Sequence, residues 1–251
     1  MDLTAVLPDA VSPAVAVLLV AASVFTSATT AAFGVGGGVM MLVLMGLFMP
    51  VTALIPVHGV VQLGSNLGRA FHMRRAMAVS MILPFAAGGA LGALVGGSVV
   101  TDLPEALLKT ILAVFIMTIT WVKLPPLPAA RSPLVFGIGG AVSTALTMFL
   151  GATGPLVAAL MAKAFETRQQ VVANSAVAMA IQHLLKVAVF GVLGFNLAPW
   201  LPLAVAMIAS GYLGTMIGAR LLESMNEESF RFWFRIAVTV LAGELLRRAF
   251  F

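Results

Sequence analysis

His58, Gln62, Asn66 and Arg69 recur at steps of four, four and three, so on a helix they share one face. A second set, Asn174, Ser175, Gln182, His183 and Lys186, lies on another apolar stretch. An imidazole can donate to an oxyanion or change charge near neutral pH, the amides and hydroxyl can donate, and the two basic groups attract negative charge. Hydrocarbon does not tolerate such faces, so both must look into a protein interior. For the histidines the competing reading is a neutral ring bonded to a neighbouring helix; for Arg69 and Lys186 it is snorkelling toward headgroups.

A different kind of ligand comes from the backbone. The run Phe33-Gly34-Val35-Gly36-Gly37-Gly38 has a counterpart about 117 positions later, Leu150-Gly151-Ala152-Thr153-Gly154-Pro155. Each opens a short apolar segment, 37–49 and 154–165. At ~1.5 Å per residue these reach only ~18–20 Å, against a hydrocarbon core of ~30 Å, so each is expected to start inside the membrane. Free N–H groups and the positive end of the helix dipole would then face the midplane, as at anion sites in soluble proteins. The candidate ligands are Gly34, Gly36, Gly37 and Gly38 at the first break and Gly151, Thr153 and Gly154 at the second; the competing reading is that Gly36, Gly37 and Gly38 only permit close helix packing. Pro155 fits the first helical position, where its missing N–H had no partner anyway.

The elements that position these groups follow from composition. Of 251 residues 61% are hydrophobic and 9% charged, against roughly 25% charged in a soluble domain. The chain reads as an all-α integral membrane protein of about ten segments: 13–33, 37–49, 53–71, 78–100, 104–122, 133–150, 154–165, 169–190, 199–219 and 229–246. With Asp2 and Asp9 before it, the first apolar run lacks the basic start of a signal peptide and is taken as retained structure. The net charge of +5 sits in short connectors and forms no stripe, which argues against nucleic acid. There is no cysteine, no multi-histidine cluster and no His-Glu-x-x-His or Gly-x-Ser-x-Gly motif. No metal, no cofactor and no catalytic residue is therefore expected, and a membrane enzyme is disfavoured. The expected partners are the bilayer and a small anionic solute; an oligomer is compatible with the sequence.

The halves align beyond the breaks. Ser12-Pro13 matches Ser132-Pro133; Ser65, Asn66 and Arg69 fall opposite Gln182, His183 and Lys186; Gly89, Gly92 and Gly96 match Gly211, Gly214 and Gly218. The reading is a first membrane repeat over 1–123, a Pro-rich linker over 124–132 and a second repeat over 133–251. The glycine series are packing faces. Trp121, Trp200 and Trp233 lie at span ends, where indoles prefer the interface, and Pro84 is expected to kink the fourth segment.

Lys and Arg in short loops place the N-terminus outside: Arg74, Arg75, Lys123, Arg131, Lys163, Arg168, Arg220 and Arg231 then face the cytoplasm, and only Arg247 and Arg248 disagree. Since the loop at His72 to Arg75 is basic and its counterpart at Gly191 to Ala198 uncharged, the repeats are inverted. Inversion lets the two breaks converge on one site, as in secondary transporters. No Asp or Glu lies centrally in a span. Leaving a cell with a negative interior gives an anion ~2.3 kcal/mol per charge per 100 mV, so export needs no coupling ion. A passive anion channel could use the same breaks.

Gly34-Val35-Gly36-Gly37-Gly38 followed by an apolar run to Pro50, Ala53 on the next segment, and a second version at Gly154-Pro155 resemble the TauE/SafE family of sulfite and organosulfur anion exporters. The family pattern has a small polar residue where His58 stands, a place that Ser175 takes in the second half, and a fuller glycine run than Ala152-Thr153-Gly154-Pro155. The resemblance implies a bacterial inner-membrane transporter of sulfite, sulfoacetate or a related sulfonate.

Overall fold

The computed structural model describes residues 7–8, 10–33, 36–100, 104–122, 132–221 and 227–250. Gly34, the loop residues Lys123 and Arg131, nearly all of the expected linker, and the side chains of Arg231 and Trp233 lie outside what is described. Among the described residues there are ten α-helices: α1 Pro13–Phe33, α2 Gly37–Phe48, α3 Val51–His72, α4 Ile82–Val100, α5 Glu105–Trp121, α6 Pro133–Leu150, α7 Gly154–Ala164, α8 Arg168–Val192, α9 Leu201–Leu221 and α10 Glu227–Phe250. The bounds follow local chemistry. Proline opens α1 and α6, Ser132 accepts the N–H of Val135 as the cap of α6, and Thr167 with Gln170 forms a reciprocal cap on α8. Five stretches of 18 to 25 residues are long and apolar enough to cross a membrane.

The packing respects exchange of the halves. Helix α1 packs on α9 and α6 on α4, while α3 packs on α8 and α5 on α10. Replacing every helix by its counterpart five places along turns the first pair into the second and maps the other two onto themselves.

Glycine makes the two outer pairs possible. A Cβ on Gly88 or Gly92 would lie 1.8 or 2.0 Å from the carbonyl oxygen of Gly137 or Ala141, and one on Gly214 or Gly218 would lie 2.0 or 2.2 Å from that of Val24 or Ala28. Backbone therefore touches backbone, the approach that small residues give membrane helices in place of a hydrophobic driving force. In both pairs the contacts advance together along the two chains, so α4 runs parallel to α6 and α1 to α9. Ser210 donating to the Val20 carbonyl at 2.8 Å extends the second series.

At the centre, His58 meets His183 and Gly59 meets Lys186. Asn174, near the start of α8, bonds Ala76 and Ala78 beyond the end of α3. Helices α3 and α8 are therefore antiparallel, and the two halves have inverted topology. Cysteines placed at Met73 and Phe195 should consequently be labelled from opposite faces of the membrane by an impermeant maleimide, an experiment simplified by the absence of native cysteine. Labelling of both from one face would contradict the inversion.

Two helices depart from the exchange. Helices α5 and α10 join α2 in the larger core, with Leu112, Ile116, Val238, Ala242 and Leu245 among its members. The smaller core around α7 contains no described α5 or α10 residue. An apolar groove between α6 and α7, lined by Val135, Ile138, Val142, Leu156 and Leu160, lies there instead.

One expectation is corrected. Pro84 falls in the first turn of α4, where a missing N–H interrupts no helical bond, because Val79–Met81 forms a separate 3-10 turn. Trp200 stands directly before α9 but is buried in the larger core, whereas Trp121 is half exposed and donates to Thr239 at 2.8 Å. The last helix runs over Glu227–Phe250; near its end Arg247 and Arg248 both pair with Glu244, and Arg248 donates to the Leu47 carbonyl at the end of α2. Glu244 offsets one of their two charges.

Candidate functional site

Both breaks lie beside the middle of a long helix. The first turn of α2 meets α3, where His58 Nε2 donates to the Gly38 carbonyl at 2.9 Å. Gly36 caps α2 with φ 104°, a left-handed conformation that glycine permits without strain. Gly37 lies so close to α1 that an added Cβ would stand 1.7 Å from the Thr26 carbonyl oxygen. The first intrahelical donor of α2 is Met40, bonded to the Gly36 carbonyl, so the helical ladder offers no partner to the N–H groups of Gly37, Gly38 and Val39.

The second break is built differently. Gly151 ends α6 with φ 68°, and a Cβ there would meet the Leu42 side chain at 2.7 Å. Its carbonyl accepts from Lys186 Nζ at 2.5 Å and from the Thr147 hydroxyl at 3.3 Å. Thr153 donates to the Ser143 carbonyl at 3.1 Å and lies 3.4 Å from Gln182 Oε1, while Gln182 Nε2 donates to Ser143 Oγ at 2.6 Å. Ser143 in turn donates to the Gly139 carbonyl. This network fixes the turn that starts α7.

Between the breaks is a cavity lined by Gly36, Gly38, His58, Gln62, Asn66, Gly154 and His183, with Thr30, Val39, Ala152, Pro155 and Met179 completing its wall. It is narrow: about 20 Å³ is open to the centre of a water molecule, room for one or two waters by the ~10–15 Å³ each needs.

The remaining expected residues divide clearly. Arg69 and Lys186 are buried at 2% and 0% exposure, which overturns the snorkelling alternative for both. Arg69 donates to Asn66 Oδ1 at 2.9 Å, and Asn66 donates to the Gln62 carbonyl at 2.8 Å, so the guanidinium stands directly behind the cavity wall. The stem of Lys186 crosses Gly59, whose missing side chain makes its space. Since α3 and α8 are antiparallel, these two cations flank the cavity toward opposite membrane faces. No Asp or Glu is buried among the described residues, so neither cation has a buried carboxylate beside it.

Ser175 is buried with its hydroxyl unpartnered. Gln182 buttresses Thr153 and does not line the cavity. Asn174 is occupied elsewhere: it accepts from the Ala78 N–H at 2.7 Å and donates to the carbonyls of Ala76 and Gln170, tying α8 to the connection after α3. Ser143 and Thr147 escaped the sequence reading, although the offset of Ser12-Pro13 to Ser132-Pro133 also aligns them with Ser23 and Ser27. Ser27 pairs with Ser65 at 3.4 Å, the first-half equivalent of the contact from α6 to Gln182.

Residues 17–245 match the family model described as sulfite exporter TauE/SafE. The chain belongs to the TauE/SafE family. The match spans both breaks and both cations and reaches into all ten helices. No curated protein and no solved structure matches the chain. The TauE/SafE assignment makes it a multi-pass membrane transporter, of a family that exports sulfite and organosulfur anions.

Proposed function

We propose that this TauE/SafE protein exports sulfite or a small sulfonate such as sulfoacetate, bound near the midplane between the starts of α2 and α7. The observation that carries the reading is the pair of buried cations, Arg69 and Lys186, flanking a cavity walled by both breaks with no buried carboxylate among the described residues. Uncompensated buried positive charge is costly, and an anion in the cavity supplies what the protein withholds. The ligands assigned to it are the N–H groups of Gly37, Gly38 and Gly154, the rings of His58 and His183, and the amides of Gln62 and Asn66. Thr153, Gln182 and Gly151 hold the second break in shape, Gly36 the first; Ser175 offers a further hydroxyl, and Asn174 anchors α8.

The chain is read as two inverted repeats, 1–123 and 133–251, in a bacterial inner membrane with the N-terminus outside. The interior-negative potential then drives the anion outward. The cavity as it stands admits one or two waters and must widen to take the anion, which favours a carrier over an open pore. Titrating purified protein with sulfite, sulfoacetate, chloride and choline tests the site: the two sulfur oxyanions should bind and choline should not. Binding of choline without either oxyanion would overturn the reading.

A further inference from the structure

Three bases from both halves meet beside the cavity, and their mutual placement bears on what moves with the anion. The rings of His58 and His183 lie with centroids 5.9 Å apart, edge to face. The Lys186 stem passes 3.1 Å from the Cβ position of Gly59, the residue after His58, and its ammonium reaches the Gly151 carbonyl. His58 Nε2 is committed to the Gly38 carbonyl, which can only accept, so that nitrogen carries hydrogen. The Nδ1 atoms of both rings are buried and unpartnered.

Among the described residues no carboxylate is buried against this cluster. On α3 the next charged group is Arg69, also cationic. Helices α2 and α6 have no ionisable side chain, and α7 has only Lys163, near its far end. Three adjacent bases in a dry interior cannot all be charged, because each added proton raises the cost of the next. A negative charge in the cavity reverses that balance.

We propose that the pair of His58 and His183, set beside the Lys186 ammonium, takes up a proton when the anion enters and gives it back when the anion leaves, so that the protein moves a proton together with its substrate. This rests on the anion site proposed above. For every anion bound, one hydrogen ion from the same side adds to an imidazole lone pair; at the opposite side both depart, and the empty carrier returns with the lone pair restored, so that a doubly charged anion still moves one net negative charge down the potential. Anion affinity and proton affinity are then linked, each raising the other by the same factor.

Sulfite changes its own protonation near neutrality, so the probe is sulfoacetate, with sulfate beside it; both stay fully ionised between about pH 6 and pH 8, the range in which histidine changes charge. Binding to the wild-type protein should weaken by up to about tenfold per pH unit as pH rises through this range, the slope expected for uptake of one proton. Calorimetric titration in buffers of different ionisation enthalpy should show the uptake directly. His58→Gln and Lys186→Met should each flatten the pH dependence. If the oxyanions bind wild-type protein with the same affinity at both ends of the range, the proton linkage is overturned and the anion site stands. If neither oxyanion binds at any pH, the site itself falls and the linkage with it.

Discussion

Alanine at Gly37 should abolish transport while alanine at the adjacent Gly38 should not unfold the protein. The added Cβ at Gly37 would lie 1.7 Å from the Thr26 carbonyl oxygen and 2.4 Å from the Thr30 hydroxyl, so α2 must leave α1. Backbone cannot yield as a side-chain tip does, and the cost should reach at least the ~1–3 kcal/mol typical of overpacking. At Gly38 the new Cβ meets the Gln62 side chain at 3.3 Å, and that side chain can swing. Thermal unfolding separates the two: a clear fall for Gly37→Ala, little change for Gly38→Ala, with Gly191→Ala, which meets nothing within 4 Å, as the neutral reference. An unchanged melt and full transport for Gly37→Ala would show that α1 and α2 do not pack this way.

The second large effect is expected at Lys186, with opposite signs for binding and stability. Methionine keeps the unbranched stem that lies over Gly59 and removes the buried charge. The Gly151 carbonyl retains the Thr147 hydroxyl as donor. Since the ammonium has no buried carboxylate partner among the described residues, its removal should leave the melting temperature equal or raise it. Anion affinity should fall at least about tenfold, the ~1.5–3 kcal/mol of a lost charged contact. A destabilised protein with intact binding would make Lys186 a structural cap on α6 and nothing more.

Why the sequence discloses one kind of feature and conceals another is visible at particular residues. Helix starts at Pro13, Pro133, Gly37 and Gly154 are readable because proline and glycine impose local geometry whatever surrounds them. The glycine series on α4 and α9 are readable for a related reason: only backbone contact requires their spacing. Side-chain destinations are not local. Arg69 and Lys186 near helix ends look suited to snorkelling, and only the packing of α3 on α8 shows that both ends are covered. Asn174 belongs to the same polar series as His183, yet its amide is taken up by Ala76 and Ala78, nearly a hundred residues away in the chain. Trp200 stands at a span end by sequence, and its burial depends on how the core of the first half closes over it. The departure of α5 and α10 from the exchange of halves has no sequence signal that we can identify.

The central claim is that a sulfur oxyanion occupies the cavity between the two breaks and is carried across. Efflux from proteoliposomes loaded with radiolabelled sulfite tests it most directly, with the membrane potential clamped by potassium and valinomycin. The account predicts saturable efflux that is accelerated by unlabelled sulfite on the opposite side, is competed by sulfoacetate, and is lost in both Gly37→Ala and Lys186→Met. Sulfite efflux no faster than from protein-free vesicles, or an equal rate in Lys186→Met, would contradict it.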